Sequence, residues 1–347
     1  MEKHIHKVKF FIKNIIAYSL FYSGALFIIK KYVCKNKYCI LTYHRILPDS
    51  EKSTSFSNDG IIVRPETFEK HLKFLSKHFN PLSVDDFYNT ISCTKIKAHK
   101  HTPCLITFDD GWVDNYIYAA PLLKKLSLPA TIFLPTMFIN KNNLFWQEKI
   151  ARAISNLLTT TGDEANEIIN KYNLKNLANS KIEIQRLNIL KYVNGIKSWP
   201  YSEIDELYNT ITDLIGESFL NSHIDKYMDW NQINELSNSK ISFGSHAHTH
   251  KVLTRLNTNE INHEIKSSIQ LISNSLNKTV KYIAYPNGDS DQKVQDIAKS
   301  SGHLLGFGTI PGLVTNNDNL YDLKRINMHE NKAPNVPLLF MTILGLY

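Results

Sequence analysis

Short apolar runs recur along the chain, most of them followed by a polar turn and a helix-forming stretch. YCILTYH (38–44), CLITF (104–108), ATIFLP (130–135), KISFGSH (240–246), KYIAYP (281–286), HLLGFGTI (303–310) and LKRINM (323–328) have the length and bulk of buried strands. PETFEKHLKFLSKHF, NYIYAAPLLKKLSL, NTNEINHEIKSSIQLISNSL and SDQKVQDIAKSSG separate most of them, and the last two carry apolar positions at helical period. Asp289, Ser290 and Asp291 are candidate N-caps for the last helix, and Gly302 follows its end. This alternation predicts an α/β fold whose parallel sheet closes into a barrel-like ring, with chemistry gathered at the C-terminal strand ends. His44, Asp109, Asp110 and His246 all stand at that end of their runs. Residues 140–230 break the pattern: QEKIARAISNLL, EIQRLNILKYV and YSEIDELYNTITDLI lack strand signals and predict a helical insertion placed to roof the site.

Charge changes the picture at one end only. The chain of 347 residues has a formal net charge of +8, yet residues 1–45 hold nine basic residues against the single acid Glu2. The remainder is balanced, which excludes a nucleic-acid-binding body and directs the basic excess towards an anionic membrane surface. Between its lysines the arm reads NIIAYSLFYSGALFII (14–29), shorter than the ~20 apolar residues a spanning helix needs. No small-residue cleavage site follows, so a signal peptide fits poorly. The reading is an arm, 1–37, that lies in or shallowly inserts into a membrane, followed by a barrel over 38–347. A helix packed on the domain and a short uncleaved span are the alternatives. Cys34, Cys39, Cys93 and Cys104 form no CxxC pair, which argues against a disulfide framework or a thiolate zinc site and favours a reducing compartment.

The candidate chemistry lies in ITFDDGWVDN and FGSHAHTH. Folding gains nothing from placing the anions Asp109 and Asp110 side by side before a Gly111 turn, although Asp-Gly alone is an ordinary turn dipeptide. In the second stretch Gly244 and Ser245 mark the end of a strand. A helical turn beginning there would bring His246 and His250 to one face, with His248 pointing elsewhere. Two imidazoles and a carboxylate make an open three-ligand metal site.

TFDDGWVDNYIYAAPLLKKLSLPATIFL and GSHAHTHKVLTRL resemble the first two signature motifs of the polysaccharide deacetylases, the NodB-like group or carbohydrate esterase family four. ILTYHRI, YPNGDSD and LKRI resemble the membrane- and envelope-associated branch. The similarity runs from about Tyr38 to Asn327, apart from the insertion. It implies a distorted (β/α) barrel and a divalent metal, most usually Zn2+, that serves N-deacetylation of an N-acetylhexosamine, in an envelope polysaccharide or on a polyprenyl-linked sugar.

By that resemblance Asp110, His246 and His250 are the metal ligands and Asp109 is the general base. His44 matches a general acid carried on an N-terminal strand in the permuted branch, with His329 as competitor. The third motif usually opens with an arginine that orients the base. Here Ala284 stands in that place, and Arg325 is the candidate substitute. The Asn287 N–H and Tyr285 are the expected oxyanion or substrate contacts. The rival readings are an inactive glycan-binding scaffold and a hydrolase of a non-sugar C–N bond. The arm places the protein at a bacterial inner membrane, the cytoplasmic face favoured.

Overall fold

The computed structural model describes residues 2–93, 100–141, 143–179, 181–220 and 224–346, and side chains from Val8 onward; Lys3 and Lys7 of the charge count lie outside those side chains. Two helices open the chain, α1 (Glu2–Tyr22) and α2 (Ala25–Val33). The strands are β1 (Cys39–Tyr43), β2 (Arg45–Ile46), β3 (Ile62–Val63), β4 (Asn80–Pro81), β5 (Pro103–Phe108), β6 (Ala130–Leu134), β7 (Ile241–Ser245), β8 (Tyr282–Ala284), β9 (Leu305–Phe307) and β10 (Ile326–Asn327).

Seven of them pair in the parallel order β10-β1-β5-β6-β7-β8-β9, with β4 added beside β5, and β2 pairs with β3 separately. Ile326 of β10 pairs with Leu41, while Leu323, three residues earlier, bridges Phe307 on β9. One segment thus touches both edges of the sheet and curls it into the distorted barrel that the pattern predicts. Inward side chains such as Ile40, Leu105, Phe133, Leu305 and Phe307 fill it, each fully or almost fully buried. Close packing sets the residue at one position: a Cβ on Gly244 of β7 would lie 2.6 Å from the Phe133 ring and 2.8 Å from the Tyr282 carbonyl oxygen. Cys39 and Cys104 face each other across β1 and β5 as buried free thiols.

The arm over 1–37, read as membrane-associating, packs on the barrel, as the alternative of a helix packed on the domain described. Residues Met1–Leu47 belong to the same compact unit as the barrel, together with Asp59–Ile139 and Met228–Tyr347. The reason is aromatic: Phe21 and Phe27 pack on Phe340 of helix Val336–Ile343, and Phe21 also meets Phe74 of helix Pro65–His78. Ala17 and Leu26 are fully buried.

The second unit comprises Pro48–Asn58 and Asn140–Tyr227. Helices Trp146–Leu157, Asp163–Lys171, Ile182–Gly195 and Tyr201–Ile215 bury Ile150, Ile154, Ile189 and Leu207 among themselves. The pattern over 140–230 predicts this helical body but not its capture of residues 48–58. Buried polar groups make that capture: Arg186 donates to the carbonyls of Ser55 and Ser57, and Ser55 Oγ donates to Asp225 Oδ1 at 2.7 Å.

Two buried histidines make stability depend on pH. His71 bonds the Ala333 carbonyl through Nε2 at 2.8 Å and the Tyr43 hydroxyl through Nδ1 at 3.1 Å. Neither ring nitrogen of His303 makes a hydrogen bond. Burial pulls both from an ordinary 6.5 to about 4. The unfolded chain therefore takes up these protons below pH 6.5 and the folded chain only near 4. Their contribution is full above 6.5 and falls as pH drops through that window, by at most ~3 kcal/mol per group. Urea midpoints taken at pH 7 and 5 should fall less in His303→Leu than in the parent; parallel slopes would show that His303 is not a buried neutral ring.

Candidate metal centre

Asp109 and Asp110 follow β5 directly, and the chain reverses there through two left-handed residues, Asp110 at φ 73° and Gly111 at φ 65°. Aspartate tolerates that conformation better than most residues, and a Cβ on Gly111 would lie 2.7 Å from Leu134 Cδ2. The reversal sends the two carboxylates to different partners. Asp110 Oδ1 faces His246 Nε2 at 3.4 Å and His250 Nε2 at 3.3 Å, while Trp112 Nε1 donates to Oδ2 at 3.1 Å. Asp109 takes both ends of the Arg325 guanidinium, from Nη1 at 2.8 Å and Nη2 at 2.7 Å. Arg325 Nε donates in turn to the Gly308 carbonyl at 2.7 Å. A cation thus reaches Asp109 from β10 rather than from position 284. The Ala284 carbonyl instead accepts from His246 Nδ1 at 2.7 Å, which fixes the tautomer and leaves Nε2 aimed at Asp110.

His246 and His250 converge without the helical turn expected after β7. Ala247 (φ 62°) and His250 (φ 59°) are left-handed, and they fold the loop back so that the two rings lie 5.0 Å apart. His248 points away and bonds Thr136 Oγ1 at 2.9 Å through Nδ1. The loop is held by a residue that sequence reasoning missed. Glu264, buried on helix Thr258–Leu276, accepts the backbone N–H groups of His248 at 2.8 Å and Thr249 at 2.7 Å, and the Thr249 hydroxyl. Its signal was present: a carboxylate on the same helix face as Ile261, Ile265 and Ser268. Glu264→Ala should weaken divalent-metal binding at this cluster ~10–100-fold, as loss of groups that orient ligands usually does. Competition with a chelator measures this, and unchanged affinity in a folded variant would remove Glu264 from the site.

His44 directly follows β1, its Nε2 3.9 Å from Asp109 Oδ2. Its turn is anchored by DDGWVDN itself. Asn115 Nδ2 donates to the His44 carbonyl at 2.7 Å, and Asp114 accepts Arg45 Nε at 2.9 Å and the Ile46 N–H at 2.7 Å. The Arg45 guanidinium lies 4.1 Å over the Trp112 ring. His329 lies close enough to His44 for their charges to interact; burial foremost, then Lys332 and His44, pull it down to about 4.

Two expected contacts are placed differently. Tyr285 is turned into the core, contrary to its expected substrate or oxyanion role. Its hydroxyl donates to the Tyr321 carbonyl at 2.8 Å, and its N–H donates to Phe307 O at 3.1 Å because the β8–β9 pairing runs one residue further. Asn287 does reach an exposed left-handed turn (φ 60°), with its amide on Asp289 Oδ2 at 2.7 Å.

Burial raises the cost of charge on both aspartates, but their partners outweigh it. His246 and His250 hold Asp110 well below the usual carboxylate range, and Arg325, with His246, lowers Asp109. Both are therefore anions at neutral pH. Among the described residues Asp110, His246 and His250 form a possible metal site, with donor atoms within 4.8 Å of one another. The donor set fits a divalent cation: one carboxylate and two imidazoles, with the other polar atoms of Asp110 and His246 engaged by the fold and, among the described residues, no fourth protein ligand.

Curled parallel sheet, surrounding helices and carboxylate–imidazole cluster together define a distorted-barrel deacetylase. The polysaccharide deacetylase family model matches residues 97–205 and 213–305, more than half of the chain, and the chain belongs to that family of carbohydrate deacetylases. YxkH of Bacillus subtilis (strain 168), which carries a polysaccharide deacetylase name, is 22% identical over 296 residues, 83% of this chain and 70% of that protein. Among solved structures, the Streptococcus pyogenes deacetylase PplD in complex with acetate aligns at TM-score 0.58 and 21% identity, over 88% of this chain and 98% of that one. IcaB from Ammonifex degensii aligns at TM-score 0.56 and 15% identity, over 88% and 97%. Members of this family are generally metal-dependent.

Proposed function

We propose that the chain is a zinc-dependent N-deacetylase of an N-acetylhexosamine, working at a bacterial inner membrane on its cytoplasmic face. The observation that carries the reading is the sorting of the two adjacent aspartates, Asp110 to two imidazoles and Asp109 to Arg325. A divalent cation held by Asp110, His246 and His250 would supply Lewis acidity, polarising a carbonyl and bringing the pKa of water towards ~7.

The chain's own groups do the rest. Asp109, kept ionised and oriented by Arg325, takes a proton from water as its oxygen attacks the acetamide carbonyl. The Asn287 N–H is the candidate donor to the developing oxyanion. His44, beside Asp109, gives a proton to the nitrogen as the C–N bond breaks, releasing acetate and a free amine. His329, held neutral by burial, is the weaker candidate for that step. The cytoplasmic assignment is supported by four cysteines that are all free.

Acetate release from a panel of polymeric and lipid-linked N-acetylhexosamines, with metal analysis of the same protein, tests the reading. Stoichiometric zinc with release from at least one substrate is expected. A protein that folds without zinc and binds glycan unchanged would be a scaffold.

A further inference from the structure

α1 runs down the outside of the barrel from the end that carries the site. Midway along it Lys13 lies close enough to Lys332 for their like charges to interact, and Lys332 Nζ reaches the Asn327 carbonyl at 3.3 Å. Asn327 ends β10, two residues before His329. One residue on, Asn14 Oδ1 accepts from Asn335 Nδ2 at 3.0 Å. Towards its C-terminus Phe21 meets Phe74 and Phe340, and in α2 Lys30 donates to the His78 carbonyl, two residues before β4. β4 pairs with the first residues of β5, so this end of the arm lies at the opposite end of the barrel from the site. The helix is therefore fixed beside the strands from Lys13 onward, with Lys13 and Asn14 at the end that carries the site and the exposed residues Val8–Ile12 preceding them.

The face of α1 turned from the barrel is apolar. Val8, Phe11, Ile12, Ile15, Ile16 and Tyr22 follow helical spacing, and Phe11 is 65% and Ile15 51% exposed. Exposed Lys9 lies on α1 beside that stripe, Lys31 and Lys35 are exposed on and just after α2, and no acid lies between Glu2 and Asp49. Among the described residues no single helix is long and apolar enough to cross a membrane; Val8–Tyr22 of α1 and α2 reach that length and hydropathy only as a pair bent by 86°. An apolar stripe with basic residues suits the headgroup layer of an anionic bilayer.

We infer that α1 lies flat in an anionic lipid surface and lays the barrel on its side there, so that the site opens along the membrane and takes an N-acetylated sugar carried on a lipid. The inference rests on the deacetylase reading for its substrate and on the outward face of α1 for its docking. A helix parallel to the strands, once flat in the interface, holds the strand ends beside the headgroups. A lipid-linked sugar then meets the site at high local concentration, whereas a soluble glycan gains nothing from the surface.

The test uses the full chain and a Phe11→Glu/Ile15→Glu variant, whose changes lie on the exposed face. Flotation with phosphatidylcholine vesicles containing phosphatidylglycerol reads docking. Acetate release from N-acetylglucosamine linked through phosphate to a polyprenyl chain in those vesicles, against a soluble N-acetylglucosamine oligomer, reads the substrate. The variant should lose vesicle binding and turnover of the lipid-linked sugar at least tenfold, with unchanged zinc content and unchanged turnover of the oligomer. A parent that does not float, a variant as active as the parent on vesicles, or a clear parental preference for the oligomer would overturn the inference. A parent that floats, holds zinc and releases acetate from neither sugar would sink the deacetylase reading and the substrate with it, while docking stands on the flotation alone.

Discussion

Asp109→Asn is expected to keep its zinc and lose deacetylation by at least ~10³-fold, whereas Asp110→Ala, with its neighbour intact, should lose both. The two residues are adjacent and equally buried, so sequence position cannot separate them; their partners do. Asp110 Oδ1 lies 3.4 and 3.3 Å from two Nε2 atoms, and removing it deletes one of the three donors that cluster among the described residues. Asp109 is engaged by both ends of Arg325 and is not one of the three clustered donors, so an asparagine there takes away a proton acceptor and leaves the donor set whole. His246→Ala and His250→Ala should behave like Asp110→Ala. Metal content by mass spectrometry and acetate release on the same preparations give the answer. An Asp109→Asn protein devoid of metal would show that the roles are misassigned.

His44→Ala should slow acetate release from an N-acetyl sugar by ~10²–10⁴-fold and hydrolysis of an activated aryl acetate far less. An amine leaves poorly until protonated, while an activated phenolate needs little help, so loss of a general acid separates the two substrates. His44 is placed for this, 3.9 Å from Asp109 and anchored at its carbonyl by Asn115. His329 is lowered to about 4 by burial, so at neutral pH it is not an imidazolium and lacks an acidic proton to give; His329→Ala should spare both reactions. If His329→Ala abolished amide turnover and His44→Ala did not, the acid would be His329. Equal loss on both substrates in His44→Ala with retained zinc would make His44 a positioning residue.

The sequence by itself determined the alternation of strands and helices, the barrel class, the strand ends on which candidate residues stand, and the pairing of an aspartate motif with a histidine motif. Those features are local: apolar runs of strand length, caps such as Asp291, and turn residues placed where a strand must stop. Residue types also travel with their motifs, which is why Asp110, His246 and His250 could be named before any distance was known.

Tertiary structure decided which side chains meet across sequence distance. Arg325 reaches Asp109 over 216 positions, because β10 and β5 both flank β1 and the curled sheet brings their ends together. Glu264 meets the histidine loop only once its helix packs against β7, and two left-handed residues replace the helical turn that spacing suggested. Tyr285 looked available in sequence, but its donors are taken by pairing with β9 and by Tyr321, which no local pattern encodes. The arm illustrates the same limit. Its charge and apolar run were legible, but a 3.6-residue period does not say which stripe faces protein. Phe74 and Phe340 decided that, burying Ala17 and leaving Phe11 and Ile15 outside.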